Sequence, residues 1–577
     1  MKTIFTASML WLTASIAFGQ SLDAITEPTW TAGPLQRIRT VPLSAVPTAQ
    51  AAAAAAPDPN HYDPAVPNAE DSTLPEIVAL ARSLEDDPLK IYRYVKNRID
   101  YVPYAGCKKG ALVTLLERSG NDFDQCALLV ALFNAAKANI ATRQKDSSQT
   151  LPTFTDVRYN FGTHNVSAGT PTYDDPTVTI PNNRGFYNWL GVTHGDWLDA
   201  YNVIIAGGGI VSGIETGPDG VSLSLERVWV QFTFAGVTYQ VDPAFKTYRY
   251  LSALPWRANM GFQDATINAA TAGPEIAETR YNSLTGVTAS EVITRGKGYV
   301  TTLLDYLKRD DLPYKPRAEN LRNRREIVPA ELPVLVSDAG TSDYTLSENW
   351  PLIPASYCNQ FTISCPFAGV PTDYRELFRT YTCALHGRSI TFRFDPAGAK
   401  SLGIYLDGIK VGTKESDPRG GVTPTVSGVK NVSVRTAFEL YNFSDVFSRD
   451  TVFLRTGRYA LPLAWDAHAD FVSWRERKLS ALKAEGRTDN DVELETEALN
   501  VYGHRWMLYT QMVTNMIPAE SVPSATSWVP RHLHYRFGRV GREKAPYIDI
   551  FQQRKFGLRL NLFQPLASVV RPTDCNL

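Results

Sequence analysis

The chain has 577 residues, 44% hydrophobic and 20% charged, a composition typical of globular proteins and not of disordered ones. Single hydrophobic cores stop growing at roughly 250 to 300 residues, so roughly two to four domains are expected. With 58 basic and 59 acidic residues, the formal net charge is -1. This balance argues against nucleic acid as a partner.

The first residues have the pattern of a secretory signal peptide. Lys2 precedes an apolar run, and Ala17 and Gly19 are the small residues expected before a cleavage site. We therefore predict a signal peptide over residues 1–19 and a secreted, periplasmic or cell-surface location; an amphipathic anchor is the alternative. A second apolar stretch, Val203 to Ile214, is shorter than the roughly 20 residues that cross a bilayer, so no membrane span is expected.

Helical patterns follow a linker. Residues 20–73 are rich in proline and alanine and are predicted to be extended or disordered. The segment 120–139 predicts a central helix, because Asn121 suits the N-cap and the body is apolar on nearly all sides. Asp122 lies in the first turn, where the helix dipole favours an anion.

A β-hairpin is the next clear element. Residues 144–185 are polar and predict an inserted loop with uncertain strands. Residues 227–234 alternate apolar and polar side chains, as in a half-buried strand. Ala235 and Gly236 then turn the chain, and a returning strand ends at Asp242-Pro243.

The remainder divides by composition and pattern. Short strands with turn signals predict a β-sandwich-like domain, and Asp407-Gly408 is a strong hairpin signal within it. The predicted regions are a helical connector at 251–330, the β-sandwich-like domain at 331–465, a helical hairpin at 466–518 and an unassigned C-terminal region at 519–577.

Three segments together resemble the transglutaminase-like superfamily, which has a papain-like fold. They are YVPYAGCKKGALVTLLERSGNDFDQCALLVALFNAA, FYNWLGV and RVWVQFTFAGVTYQVDPAFK. The resemblance covers residues 86–250 and is closest to a bacterial secreted branch associated with RHS or YD repeats. It implies an α+β fold with a transglutaminase-like domain over 74–250, followed by the β-sandwich-like domain and the helical pair.

The resemblance also locates a catalytic triad. In that superfamily a Cys at the first turn of the central helix attacks an amide, a His on the next core strand acts as base, and an Asp orients the His. These positions fall on Asp122, Arg227 and Asp242, so only the third residue matches. A guanidinium stays protonated and cannot act as a general base, which implies a degenerate site.

Strand parity predicts what has replaced the triad. If the hairpin turns at Ala235-Gly236, Arg227 and Asp242 are diagonal neighbours on one face, and Arg227 is expected to bond Asp242. The same guanidinium is expected to reach Asp122. The alternative interpretations are purely structural. Asp122 is then a carboxylate at the start of a helix, and Arg227 and Asp242 form an ordinary cross-strand ion pair.

Other residues keep an enzymatic interpretation open. Cys126 lies one helical turn beyond Asp122 and is a possible relocated nucleophile, although a Cys on a buried helix is more often a small hydrophobe. His164 and His194, in the loop region, are alternative bases; a loop His is more often simply exposed.

The six cysteines are interpreted through export, because disulfides persist in oxidising compartments. We predict a Cys107–Cys126 disulfide and, as a weaker candidate, a Cys358–Cys365 disulfide. Neither C-x-x-C pairs nor zinc-site His spacings occur in the sequence, so no metal and no cofactor are expected.

The leading functional hypothesis is a secreted pseudoenzyme that binds a protein, a peptide or a cell-surface polymer. The alternative is an active cysteine peptidase or acyltransferase that acts on amide bonds. A third hypothesis is a purely structural surface module.

Overall fold

A computed structural model shows a mixed α+β protein, as predicted, in which a curled half-barrel sheet packs against a long helix. The predicted signal peptide and most of the linker lie outside the described residues. The structure describes residues 68–145, 150–169, 185–192, 195, 197–207, 209–217, 220–251, 259–261, 275–277, 282–284, 289–307, 324–366, 374–394, 402–414, 432–439, 446–454, 458–465, 468–487, 491–516, 536–542 and 546–552.

The described chain divides into two compact units, and the larger one includes residues 52–249 and 327–511. None of the helices in the described ranges is long and apolar enough to cross a membrane. The helices are α1 (Pro75–Ser83), α2 (Pro88–Arg98), α3 (Gly110–Glu117), α4 (Asp122–Lys145), α5 (Phe186–Leu190), α6 (Trp197–Gly207), α7 (Ala289–Leu307), α8 (Ala469–Ala484) and α9 (Val492–Met516), with 3-10 helices at Ala355–Tyr357 and Thr382–Leu385.

The strands of the first half of the chain are mostly short. They are β1 (Asp100–Tyr101), β2 (Ser119–Gly120), β3 (Phe154–Ser167), β4 (Val211–Gly217), β5 (Gly220–Phe234), β6 (Val237–Val241), β7 (Tyr248–Leu251), β8 (Glu275–Ala277), β9 (Asn282–Leu284) and β10 (Arg324–Ile327). Those of the second half are β11 (Tyr344–Trp350), β12 (Gln360–Pro366), β13 (Tyr374–Tyr381), β14 (Ile390–Phe394), β15 (Leu402–Leu406), β16 (Ile409–Lys414), β17 (Val432–Glu439), β18 (Val446–Leu454), β19 (Arg458–Leu461), β20 (Leu463–Ala464), β21 (Arg536–Arg542) and β22 (Pro546–Gln552).

Helix α4 is the central helix that the sequence predicts, and it runs six residues further, to Lys145. Asn121 caps it: its Oδ1 accepts a hydrogen bond from the Asp124 N–H at 2.9 Å. The buried body packs on the sheet, where the Phe133 ring lies 4.9 Å from Phe154 and 4.3 Å from Phe232. Each such buried side chain contributes about 1.5–3 kcal/mol, so this helix–sheet contact is a main source of stability.

The sheet that faces α4 has the strand order β11-β3-β5-β4, and β6 pairs with the second half of β5. The predicted β5–β6 hairpin is confirmed, with Phe234 opposite Val237. The predicted loop at 144–185 was wrong in part, because β3 is a 14-residue strand that pairs with β5 along its length. Strand β11, from the region assigned to the sandwich, is the edge strand of this same sheet.

The second half of the chain confirms two local predictions. Asp407-Gly408 connects β15 and β16 in an antiparallel hairpin, and α8 and α9 form the predicted helical pair. Two further sheets have the orders β13-β12-β17-β18 and β16-β15-β14-β19-β21-β20. Strands β21 and β22 come from the C-terminal region that the sequence left unassigned.

Candidate functional site

The three triad positions converge where the N-terminus of α4 meets β5. Asp122, in the first turn of α4, is 7% exposed. Its Oδ2 accepts a hydrogen bond from the Val228 N–H at 2.9 Å. Because Val228 follows Arg227 on β5, this bond fixes the start of the helix beside the guanidinium.

Arg227 and Asp242 form the ion pair that strand parity predicts. Arg227 Nη1 donates to Asp242 Oδ2 at 2.6 Å, and Nη2 donates to Oδ1 at 3.2 Å. Both side chains are almost fully buried, at 3% and 2% exposed. Bidentate guanidinium–carboxylate pairs combine charge with fixed geometry, so this pair rigidly joins β5 to the end of β6.

Asp242 is saturated with donors besides Arg227. The Tyr344 hydroxyl donates to its Oδ2 at 3.0 Å, and the N–H groups of Ala244 and Phe245 donate to its Oδ1 at 2.8 and 3.1 Å. Burial alone raises the pKa of Asp242, but Arg227 and Lys96 outweigh it and hold the pKa well below its usual range. The carboxylate is therefore charged at any physiological pH.

A second carboxylate supports the end of β6 from behind. Asp338 accepts the Asp242 N–H at 3.0 Å, the Tyr92 hydroxyl at 2.5 Å and the Lys96 ammonium at 2.9 Å. Lys96 also donates to the Asp242 carbonyl at 2.6 Å. Helix α2 thereby anchors the backbone that carries the paired Asp242.

The other partner of Arg227 is a histidine from the region predicted to be a loop. His164 lies on β3, two residues beyond Gly162, which is directly opposite Arg227. Its Nδ1 is 3.0 Å from Arg227 Nη1. A guanidinium has donors only, so Nδ1 accepts and the ring proton of neutral His164 lies on Nε2.

The predicted bond between Arg227 and Asp122 is not formed. Among the described side chains, Asp122 makes its hydrogen bond to the β5 backbone, and His164 takes the place at the guanidinium that the prediction gave to Asp122. Asp122 and Arg227 still interact through space: burial raises the pKa of Asp122 to about 6, and the charge of Arg227 opposes that rise.

Sequence reasoning named His164 as a candidate base but placed it in a loop, because its surroundings in the sequence are polar. His164 and Val166 are buried and alternate with exposed Asn165 and Ser167, which is the period of a half-buried strand. Gly162 gives a second signal: a Cβ there would lie 2.0 Å from the Thr345 carbonyl oxygen, so glycine lets β11 approach closely. His194, the other candidate base, lies outside the described residues.

A cavity of about 50 Å³ opens at this site. Asp122, Arg227 and Glu226 supply its charged lining. The Arg227 guanidinium lies 4.7 Å from the Trp189 ring centroid, within cation–π range. The other aromatic residues of the lining are Tyr101, Tyr104, Phe123, Phe161 and Tyr357.

Cys126 is not part of that lining. Its side chain is fully buried, its Sγ lies 3.5 Å from the Val228 carbonyl oxygen, and burial raises the pKa of the thiol well above its ordinary value. Thiolates are the reactive form of cysteine. Cys126 therefore has the environment of a small core residue.

The predicted Cys107–Cys126 disulfide is not formed. Residues two apart on a helix point in nearly opposite directions. Asp124 faces the Cys107 thiol at 3.1 Å, and Cys126 therefore faces away, toward β5. Cys107 instead lies beside Cys358 and Cys383. The side chain of Cys365 is outside the described residues, as is Cys575.

No protein-family model matches the chain, and no curated protein or solved structure is significantly similar to it.

Proposed function

We propose that this chain is a secreted, non-catalytic transglutaminase-like protein that uses its degenerate site to bind a protein or peptide. The observation that carries the proposal is the buried bidentate pair of Arg227 and Asp242, at the positions that the resemblance assigns to His and Asp. A guanidinium cannot take up a proton, and Nη1 and Nη2 of Arg227 donate to Asp242 and His164. The pair holds the fold and supplies no general base.

The arrangement of the elements supports the transglutaminase-like architecture. Helix α4 begins beside β5, and the following strand β6 ends at Val241, directly before Asp242. A helix start, a strand and the next strand thus contribute the three positions in the order that the resemblance implies. Asp122 at the helix start replaces the nucleophile with a carboxylate that makes a structural bond.

The lining of the cavity favours a cationic group. Asp122 and Glu226 are acidic, and the charge of Arg227 is matched by Asp242. Aromatic faces attract ammonium and guanidinium groups by about 0.5–2 kcal/mol each. At about 50 Å³ the cavity holds the tip of a side chain and no more. We therefore expect a lysine ammonium, presented by a protein or peptide partner.

The test is binding of a hexalysine peptide, measured by calorimetry on the full mature chain. Asp122→Asn keeps an acceptor for the Val228 N–H and removes the charge, so affinity is expected to fall about tenfold or more. Glu226→Gln is expected to weaken binding less. Glu493→Gln, at a partly exposed carboxylate on α9, is the matched control and leaves binding unchanged.

Two results contradict this proposal. One is equal affinity for the peptide whose lysines carry Nε-acetyl groups, because acetylation removes the ammonium charge. The other is an equal loss in Asp122→Asn and Glu493→Gln, because that pattern indicates non-specific attraction between a cationic peptide and the acidic surface.

The competing function is amide hydrolysis or acyl transfer by Cys126. Its buried thiol, its raised pKa and its position outside the cavity disfavour that function. We expect no peptidase or amine-incorporation activity, with or without reductant. Thiol-dependent activity that disappears in Cys126→Ala overturns the non-catalytic assignment.

A further inference from the structure

Three cysteines from distant parts of the chain converge beside the first turn of α4. Cys107 precedes α3, Cys358 follows the first 3-10 helix, and Cys383 lies in the second one. All three side chains are fully buried, and their Sγ atoms lie within 4.8 Å of one another. The separations along the chain hide this cluster from any motif search.

Backbone hydrogen bonds fix the three segments before any ligand is considered. The Cys107 N–H donates to the Tyr357 carbonyl at 2.7 Å, and the Asn359 N–H donates to the Cys107 carbonyl at 3.0 Å. The Thr382 N–H donates to the Asn359 carbonyl at 2.9 Å. The thiols are therefore brought together by the fold, and little conformational freedom remains to be lost on binding.

We propose that Cys107, Cys358 and Cys383 together bind one thiophilic cation, Cu⁺ or Zn²⁺. Thiolates are the ligands that select these ions. A tetrahedral centre with metal–sulfur bonds of about 2.3 Å places its sulfur atoms about 3.8 Å apart. Sulfur atoms that lie within 4.8 Å of one another need at most a small contraction to reach that spacing. A disulfide would join two of the sulfurs and leave the third buried without a role.

Asp124 keeps other hydrogen-bond partners when the Cys107 thiol loses its proton. Cys107 Sγ–H donates to Asp124 Oδ1 at 3.1 Å, and binding as a thiolate releases this proton. Asp124 then keeps the Tyr104 hydroxyl and the N–H groups of Lys108, Lys109 and Gly110 at 2.5 to 3.2 Å. Deprotonation of Cys107 therefore does not leave the Asp124 carboxylate without donors.

A glycine beside the cluster fits its close packing. Gly110 has φ +66°, and a Cβ there would lie 2.7 Å from the Cys383 carbonyl oxygen. Glycine at this position therefore permits the close approach that brings Cys383 to Cys107.

The experiment measures metal uptake by the full chain after reduction and removal of metals by a chelator. Zn²⁺ and Cu⁺ are added separately, and native mass spectrometry gives the stoichiometry. We expect about one ion per chain in the natural protein and in Cys126→Ala, which removes a buried thiol outside the cluster. In Cys358→Ser uptake is expected to fall more than tenfold, and the ion that binds more tightly in competition with a chromophoric chelator identifies the metal.

A second measurement uses the natural protein and does not depend on the folding of a variant. Alkylation after brief denaturation, followed by peptide mapping, is expected to find Cys107, Cys358 and Cys383 protected by the bound ion and Cys126 reactive. Two results overturn the proposal: no stoichiometric uptake by the reduced chain, or a disulfide between any two of the three cysteines in protein isolated from an exporting host.

Discussion

Among the described residues of the larger unit, two arginine–carboxylate pairs are buried, and one of these two borders a candidate site. Arg475, on α8, bonds Glu497 on α9 through Nη1 at 3.0 and 3.2 Å. The Arg475 and Glu497 side chains are 2% and 4% exposed, as buried as those of Arg227 and Asp242. The same chemistry therefore occurs in two settings.

The settings differ in what else the guanidinium meets. Arg475 donates to the Ser389 hydroxyl and the Gly387 carbonyl, so its contacts join two helices to a loop. Both guanidinium groups lie over an indole ring. Arg227 also hydrogen-bonds His164 and faces a cavity with a second carboxylate at its edge. Burial of the ion pair therefore indicates a structural role in both places, and the cavity with its extra carboxylate distinguishes the proposed binding site.

The largest expected effect is a loss of stability that is the same for the two pairs. Arg227→Ala and Arg475→Ala each strand a buried carboxylate, which costs about 3–5 kcal/mol of unfolding free energy. Urea denaturation monitored by tryptophan fluorescence measures both. If Arg227→Ala leaves stability unchanged, the pair of Arg227 and Asp242 has no structural role, and the two regions are not comparable.

A smaller expected effect is the change in stability with pH, which has opposite signs for a carboxylate in each region. Burial raises the pKa of Asp122 from its ordinary value to about 6, so the folded chain holds that proton more tightly than the unfolded chain. Stability is then lost as pH rises from about 4 through 6, by at most about 3 kcal/mol. Asp122→Asn keeps the bond to Val228, and we expect it to stabilise the chain by about 1–3 kcal/mol at pH 8 and to change little at pH 4.

Asp491, at the start of α9, is the matched control for that variant. The N–H groups of Leu494 and Glu493 lower the pKa of this exposed carboxyl. Its charged form is favoured by folding, so Asp491→Asn is expected to destabilise the chain at pH 8. Urea denaturation at pH 4 and pH 8 gives both signs, and a destabilising Asp122→Asn contradicts the interpretation of Asp122 as a charge held for ligand binding.

The predictable part of the site is the part encoded locally. Arg227 and Asp242 are 15 residues apart on one hairpin, and the period of two along each strand fixes which face each occupies. The resemblance assigned Asp122 to the site, and its place in the first turn of an apolar helix could be read from the local sequence. These arguments use only residues that are close in the sequence and the position of one hairpin turn.

The rest depends on how distant segments pack. His164 reaches Arg227 because β3 pairs with β5 across 63 residues, and nothing near His164 in the sequence specifies that pairing. The predicted Cys107–Cys126 disulfide relied on closeness in the sequence. In the structure Cys107 meets Cys358, which is far along the chain, through a parallel bridge between their backbones. Contacts of this kind follow from the whole fold, so local periodicity carries no signal for them.

The smallest expected effect probes how far each pair relies on its neighbours. Tyr344→Phe removes the hydroxyl that donates to Asp242 and keeps the ring, which stacks on His164 with centroids 3.9 Å apart. We expect a loss of about 1–2 kcal/mol, because one donor to a charged group is removed while Arg227 and two N–H groups remain. Burial and the charge of Asp242 raise the pKa of Tyr344, so the phenol stays protonated, and Asp242 stays ionised. The loss should therefore be equal at pH 5 and pH 8 in urea denaturation.

Ser389→Ala, which removes the hydroxyl that donates to Glu497 at 2.9 Å, is the matched variant in the other pair. A loss in Tyr344→Phe as large as that in Arg227→Ala would show that β11, and not the guanidinium, holds Asp242 in place.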